Sequence, residues 1–511
     1  MCPEKRVCIG APRLVLSAFQ ASLRVFQNPG AARFALAPGY LLTAPTALPA
    51  LVLAAPTALP ALVLAAPTAL PVLCSGPRLP RSPNRSVLRL VSVAAGVYYA
   101  AMANPRIVIL GGGFGGLFTA LELTGSHDIT LVTDSDHFVF TPMLYEYFSG
   151  EVEAWHIGPH YHELLDSNVN LVVATATTVD LDAQTVSLEN RDPLSYDVLV
   201  VAVGGITNYW NIPGAQEFSL PFRKIEHADT LRRVMVDALD RIPPEMPPQD
   251  VRSALTFALV GAGASGCELS TKMSDLLIDA FKRRALHGEP RVMLLEMGDK
   301  VVPGMGDEIR ELVEDALLQS RVEVHTLTRV VNVTRDAVTF EHAGNHEEIK
   351  TAAVVWLGGV RMNPLVEQLN LEKNKRGLLA IKPTFQLTQH DNIFALGDIA
   401  YYPDAAPTLH GTAQLAYQEA GVVGHNVKAL LDGKELRTRH FEELGEAISL
   451  GTERAAVLTG GKAFGGALAR QARFALYTTR LPTWQHRLRV GASWFFGGKQ
   501  PRPLLPLGIE R

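Results

Sequence analysis

Cysteine is almost missing from this chain: there are four among 511 residues. Three of them, Cys2, Cys8 and Cys74, fall in the first hundred positions, so Cys267 is the only thiol in the rest. One cysteine builds neither a disulfide framework nor a zinc site, and it excludes a redox-active cysteine pair. Acid is scarce at both ends. Residues 1–101 carry nine Lys/Arg against the single acid Glu4, a charge of +8, which leaves −12 for residues 102–511 within a total of −4. A body that acidic excludes nucleic acid as a partner. No charge of either sign occurs between Arg33 and Arg78, which raises the question of a membrane span. Six prolines (Pro45, Pro49, Pro56, Pro60, Pro67, Pro71) argue against one, because each removes a helix donor and clashes with the preceding turn.

The first 101 residues read as an address. They are Arg-rich and nearly acid-free, with six serines, the composition of a transit peptide. The stretch Val91–Ala95 has the small-residue character of a processing site, and Met102 is the alternative start. A repeat, Ala-Pro-Thr-Ala-Leu-Pro, begins at Ala44, Ala55 and Ala66, so this part reads as low-complexity extended chain. Composition does not separate plastid from mitochondrion. The length allows about two to four domains, and 47% apolar residues supply a large core.

Two glycine-rich loops 150 positions apart carry the chemistry. Gly111-Gly112-Gly113-Phe114-Gly115-Gly116 follows the apolar run Ile107–Leu110, and Gly261-Ala262-Gly263-Ala264-Ser265-Gly266 follows Phe257–Val260. Each reads G-x-G-x-x-G between a buried-strand pattern and a helical one. The first glycine makes a tight turn, the second admits a pyrophosphate to the backbone, and the third lets helix and strand pack closely. The helix N-terminus then holds the phosphate charge. One such loop is a weak signal. Two in order predict two dinucleotides, FAD at Gly111, Gly113 and Gly116, and a nicotinamide at Gly261, Gly263 and Gly266.

Other positions complete the two sites. An acid ending the second strand of such a unit holds ribose hydroxyls. After Ile129–Val132 that place is Thr133, with Asp134 next; Asp134 is the candidate and Thr133 the alternative. In the second unit Arg291–Leu295 ends at Glu296, which would bond the 2′-hydroxyl of NADH and repel the 2′-phosphate of NADPH. The buried run Tyr196–Val203 ends in a small-residue turn, placing Ala202 and Gly204 beside a cofactor. Asn392–Leu396 ends in Gly397-Asp398, where a carboxylate can accept from a ribityl hydroxyl or cap the next helix. The expected class is α/β, with two Rossmann-like dinucleotide-binding domains in a glutathione-reductase-like FAD/NAD(P) fold and the NAD domain inserted into the FAD domain. Its parts are 1–101 (leader), 104–249 and 355–425 (FAD), 250–354 (NAD(P)H) and 426–511 (C-terminal). Residues 454–509 contain nine Lys/Arg and no acid. Trp484, Leu488, Gly491 and Phe495 share one helical face there, which predicts an amphipathic membrane-associating helix; a helix docked on the protein's own core or on a dimer partner is the alternative.

The order of two glycine loops, Gly-Asp and basic tail resembles the type II NAD(P)H:quinone oxidoreductases. Phe138–Glu146, Ser149–Val152, Trp155, Leu444–Glu446 and Leu481–His486 resemble their cyanobacterial and plastid branch, the demethylphylloquinone reductases. The resemblance spans about residues 104–495. It implies a non-proton-pumping enzyme using FAD and NADH, with NADPH left open. Its substrate would be a membrane quinone such as demethylphylloquinone or plastoquinone, its membrane contact peripheral through the C-terminal segment, and its state a homodimer. It also implies a chloroplast address, at the thylakoid or plastoglobule. The family's A-Q-x-A-x-Q-Q motif reads Ala413-Gln414-Leu415-Ala416-Tyr417-Gln418-Glu419 here. It implies Gln414 and Gln418 at the quinone, with Glu419 departing from the pattern. The family's glutamate after the second loop is Glu268, implied to position groups and supply protons. On the bland reading, Gln414 and Gln418 are surface residues and Glu268 is a first-turn acid favoured by the helix dipole.

Rivals on the same fold fail on composition. Disulfide reductases and sulfide:quinone reductases need cysteines at the flavin, and Cys267 stands beside the wrong loop. A redox-responsive binding protein that keeps FAD and NADH without quinone turnover is the alternative from another class.

Overall fold

The computed structural model describes residues 104–496, apart from 126–127, 404–410 and 443–444. The leader with its repeat, Val91–Ala95, Met102, Leu444 and the tail beyond Phe496 therefore lie outside the described residues.

Buried apolar runs bounded by glycine turns form two parallel sheets. The first has the order Gln386–Leu387, His390–Ala395, Val198–Val201, Arg106–Leu110, Asp128–Thr133, Val169–Val173, with only the Gln386–Leu387 edge antiparallel. Its central strands are buried along nearly their whole length, as expected where both faces of a parallel sheet are covered. The second has the order Val322–His325, Arg291–Leu295, Thr256–Val260, Ala353–Trp356, Ser219–Pro221. In each sheet a strand, a glycine loop and a helix occupy the centre: Arg106–Leu110 leads into Phe114–Leu123, and Thr256–Val260 into Ala264–Arg283. This is the doubly wound arrangement, in which ligands bind beyond the carboxyl ends of the strands.

Three expected boundaries move. Strand Ser219–Pro221 pairs with Ala353–Trp356 in the second sheet, although the expected FAD part, 104–249, includes it. Trp356 belongs to that sheet too, past the expected end at 354. The helix Ala413–Leu431 runs unbroken through position 425. Hydropathy marks a strand as buried but not which sheet it joins. The chain crosses between the sheets through a short antiparallel pair, Ile206–Thr207 with Val360–Arg361.

The C-terminal segment builds a three-stranded antiparallel sheet (Glu446–Ser449, Ala455–Thr459, Lys462–Gly465) and two helices, Gly466–Arg480 and Trp484–Phe496. Among the described residues no helix is long and apolar enough to cross a membrane.

Candidate active site

The two glycine loops repeat one geometry. Gly111 and Gly261 both sit at left-handed φ, +100° and +104°, a region open to glycine and strained for side chains. A Cβ at Gly116 would overlap the carbonyl oxygen of Gly111, and one at Gly266 would overlap that of Gly261. Both third glycines therefore allow the helix to lie against its own loop. At the middle positions, Gly113 and Gly263, a Cβ would meet nothing within 4 Å. Each of these residues is an N-cap without a side-chain cap, so each helix begins on bare backbone N–H groups. That is an open, positively polarised cradle for a diphosphate, and FAD and a nicotinamide dinucleotide both fit the donor set.

The residues around the first loop are drawn together from distant positions. Ala202 is buried, and its carbonyl lies where a Gly111 Cβ would stand; Gly204 has φ +61° with open space around it. Strand Asp128–Thr133 ends at Thr133, which is buried, whereas Asp134 is exposed beyond it and paired with Lys224 at 2.8 Å. The Tyr161 hydroxyl donates to the Gly112 carbonyl at 2.6 Å and braces the loop from below. Asp398 lies in the single turn Gly397–Ile399; burial raises its pKa and the nearby Arg223 opposes that shift. Lys224 and Arg223 carried no signal in the sequence beyond ordinary surface charge.

At the second loop, Glu296 follows strand Arg291–Leu295. Its two oxygens accept from the Ala262 and Gly298 backbone N–H groups, both at 2.7 Å. The carboxylate is thereby held at the edge of the loop. Trp210, exposed and at φ +54°, donates from its indole to the Gly358 carbonyl at 2.6 Å, on the turn that borders Gly261. Cys267 is buried and its thiol donates to the Ala262 carbonyl; burial pushes its pKa up, so it has little thiolate character.

Glu268 stands in a buried ionic cluster that the sequence did not announce. Its Oε1 accepts from Ser449 N at 2.8 Å and from Arg473 Nη2 at 2.9 Å. Arg473 also reaches Glu146 and, at 2.7 Å, the Pro142 carbonyl. Lys272 pairs with Glu151 and donates to the Gly451 carbonyl at 3.0 Å, while Arg470 pairs with Glu151 at 2.8 Å. Three acids face three bases, and Glu146, Glu151, Lys272 and Arg473 are each at most 3% exposed in their side chains. Burial pushes the Glu268 carboxyl up to about 7, against the pull of Arg473 and with the help of Glu146. Burial opposes the Glu151 charge too, but Lys272 and Arg470 outweigh it and hold that carboxyl below the usual range.

This cluster shows where part of the positive charge of residues 454–509 goes. Arg473 is buried, Arg454 pairs with Asp275, and Arg489 meets Glu163 and lies over the Trp155 ring. Acids from residues 146–275 pair four of the segment's basic groups: Arg470 and Arg473 in the buried cluster, Arg454 in a partly buried contact and Arg489 at the surface. Trp484 and Leu488 do point outward, 65% and 63% exposed, while His486 and Val490 face the body. Phe474 and Trp494, one from each of the two C-terminal helices, pack edge to face. The segment is thus both a docked cover and an exposed apolar edge.

The helix Ala413–Leu431 starts at Thr412, whose hydroxyl caps Leu415 N. Gln414 is half-buried, and among the described residues no hydrogen bond to its amide is present. Gln418 is engaged at both ends: Nε2 donates to the Glu442 carbonyl at 3.0 Å and Oε1 accepts from Glu442 N at 2.9 Å. The two amides implied at the quinone thus differ: among the described residues Gln414 has no partner, whereas Gln418 is braced because the chain after this helix folds back across it. Glu419 is buried, accepting from Gly397 N at 2.7 Å and from the Tyr402 hydroxyl at 3.0 Å.

The family described as pyridine nucleotide-disulphide oxidoreductase matches residues 105–420. The chain is similar to demethylphylloquinone reductase NdbB of Synechocystis, 36% identical over 77% of this chain and 96% of that protein. It is 31% identical to the chloroplastic/mitochondrial alternative NAD(P)H-ubiquinone oxidoreductase C1 of Arabidopsis thaliana, over 77% of this chain and 80% of that one. Among solved structures, NDH2 from Plasmodium falciparum in complex with NADH matches with a TM-score of 0.71 at 17% identity, covering 78% of this chain and 99% of that one. At that identity the likeness concerns the fold.

Proposed function

The chain belongs to the pyridine nucleotide-disulphide oxidoreductase family, and from that premise we infer that it is a type II NAD(P)H:quinone oxidoreductase of the demethylphylloquinone reductase branch. The observation that carries this reading is the paired glycine cradle, one at the centre of each parallel sheet, with no second cysteine near either among the described residues. Electrons that cannot pass to a disulfide must leave by another acceptor, and a quinone fits the relatives' names.

Gly111, Gly113, Gly116, Asp134, Ala202, Gly204, Gly397 and Asp398 would hold FAD. Gly261, Gly263, Gly266 and Glu296 would hold the nicotinamide dinucleotide. When bound, the flavin supplies the two-electron chemistry that links hydride donor to quinone; the protein supplies binding, orientation and electrostatics. Glu268, with its pKa near neutrality, can hold or release a proton at working pH. Gln414 presents an amide able to donate to a quinone carbonyl as charge develops there. Gln418 acts by holding the 442 segment against the helix. The homologues support a chloroplast address.

The direct test is NADH oxidation by the purified protein with FAD and a short-chain naphthoquinone. Steady turnover with flavin bleaching and recovery is expected. Bleaching without reoxidation by any quinone would favour the redox-responsive binding protein instead. Glu296→Gln removes the anion facing a 2′-phosphate, so kcat/KM for NADPH relative to NADH should rise about tenfold. An unchanged ratio would remove Glu296 from the ribose site.

Peripheral membrane contact would run through the exposed Trp484 and Leu488 edge. Burying such side chains contributes about 1.5–3 kcal/mol each, so W484S/L488S should weaken vesicle co-sedimentation at least about tenfold. Thermal stability should stay unchanged, since both side chains are exposed. Equal binding by the double variant would place the contact elsewhere.

A further inference from the structure

Glu419 is a buried carboxyl, 5% exposed, at the one position where the motif Ala413–Glu419 departs from the pattern it resembles. Its hydrogen bonds require its shape but not its charge. Oε2 accepts from Gly397 N and Oε1 from the Tyr402 hydroxyl. A glutamine would fill the same volume, accept from Gly397 through its oxygen and meet the Tyr402 oxygen with its NH2 group. The negative charge is therefore surplus to the packing, and burying it is costly.

That charge stands beside the turn that carries Asp398. The titratable and charged groups around it are Asp398, the Tyr402 hydroxyl and Arg439, whose guanidinium lies 3.9 Å over the Tyr402 ring. Arg223 acts on Asp398 from the other side. One cation next to Glu419 is thus spent on an aromatic face, and the neighbouring carboxyl repels it.

We propose that Glu419 is an electrostatic positioning residue that couples flavin reduction to proton uptake: its carboxylate opposes the negative charge that reduction brings, and reduction draws a proton onto it. The inference rests on the reading that the Gly397–Asp398 turn holds FAD. The balance is complete. The nicotinamide delivers a hydride, two electrons with one proton. One further proton comes from solvent and is bound at Glu419. The quinone leaves with two electrons and two protons, and Glu419 returns to the carboxylate. Linkage makes the effect reciprocal: a proton bound more tightly in the reduced state raises the midpoint potential as pH falls.

Burial pushes the Glu419 carboxyl up to about 7, with Gly397 N–H and the Tyr402 hydroxyl pulling the other way. The coupling therefore operates around neutral pH. Above that value the group is ionised and depresses the potential; below it the group is neutral and the effect vanishes.

The test compares full-length wild type, Glu419→Gln and Tyr402→Phe, each loaded with FAD, by spectroelectrochemical titration of the flavin at a series of pH values that includes pH 6 and pH 8.5 and brackets neutrality. Glu419→Gln should show a more positive midpoint than wild type at pH 8.5 and the same midpoint at pH 6. Tyr402→Phe removes a donor to the carboxylate, so the change of slope should move to higher pH. Coincident wild-type and Glu419→Gln potentials at both pH values would overturn the proposal. If Glu419→Gln retains no flavin, the Tyr402→Phe curve decides, and an unmoved slope overturns it. Wild type that binds no FAD would overturn the cofactor reading itself, a separate and visible failure.

Discussion

Gly116→Ala is expected to yield a protein that retains little flavin, and Gly266→Ala one that keeps its flavin but is no longer bleached by NADH. In each case the new Cβ overlaps the carbonyl oxygen of the glycine that opens the same loop. That obstacle is backbone, so relief requires the helix to move off its strand. Overpacking of this kind costs about 1–3 kcal/mol, and the movement also displaces the N–H groups that would hold the diphosphate. A loss of about 10–100-fold in affinity follows for the ligand of the altered loop. Flavin absorbance after gel filtration reads the first variant, and stopped-flow bleaching reads the second. Normal bleaching of Gly266→Ala would show that the second loop does not hold the nicotinamide.

Arg473→Met should be the most destabilising single change in the C-terminal segment. The guanidinium is buried between Glu146 and Glu268, and removing one side of such a cluster costs about 3–5 kcal/mol because the remaining charge is uncompensated. The loss should depend on pH. Glu268 is held near 7 in the fold by burial, above the about 4.3 of an unfolded glutamate. A carboxyl raised on folding contributes stability below its unfolded value and loses it as pH rises through its folded value. Arg473 limits that rise; without it the Glu268 pKa climbs further. The deficit of Arg473→Met should therefore be larger at pH 8 than at pH 6, measured by urea unfolding at both. Equal deficits would remove Glu268 from the account.

Both cradles were legible in the residue order because their geometry is local. A strand, a turn that only glycine can make and a helix packed on it occupy a dozen consecutive positions, and each demand falls on a named residue. Gly-Asp at 397–398 was legible for the same reason. The ionic cluster was not. Glu146, Glu151, Glu268, Lys272, Arg470 and Arg473 come from three separate segments, and no short-range pattern pairs them. Nothing in the basic run 454–509 distinguishes Arg473, which is buried, from Lys462, which is exposed. The partner of Gln418 was not legible either: its amide bonds the Glu442 backbone, beyond the end of its helix.

The residues alone determined that the chain carries two dinucleotide loops, that a cysteine pair cannot relay its electrons and that its C-terminal part is basic and aromatic, since composition and short-range spacing settle these. Only the tertiary structure decided which sheet receives Ser219–Pro221, that the Gln418 amide is braced by the Glu442 backbone and which arginines of the tail leave the surface. Those outcomes depend on contacts between residues tens to hundreds of positions apart, where burial converts an ordinary charge into a paired one or a titratable one.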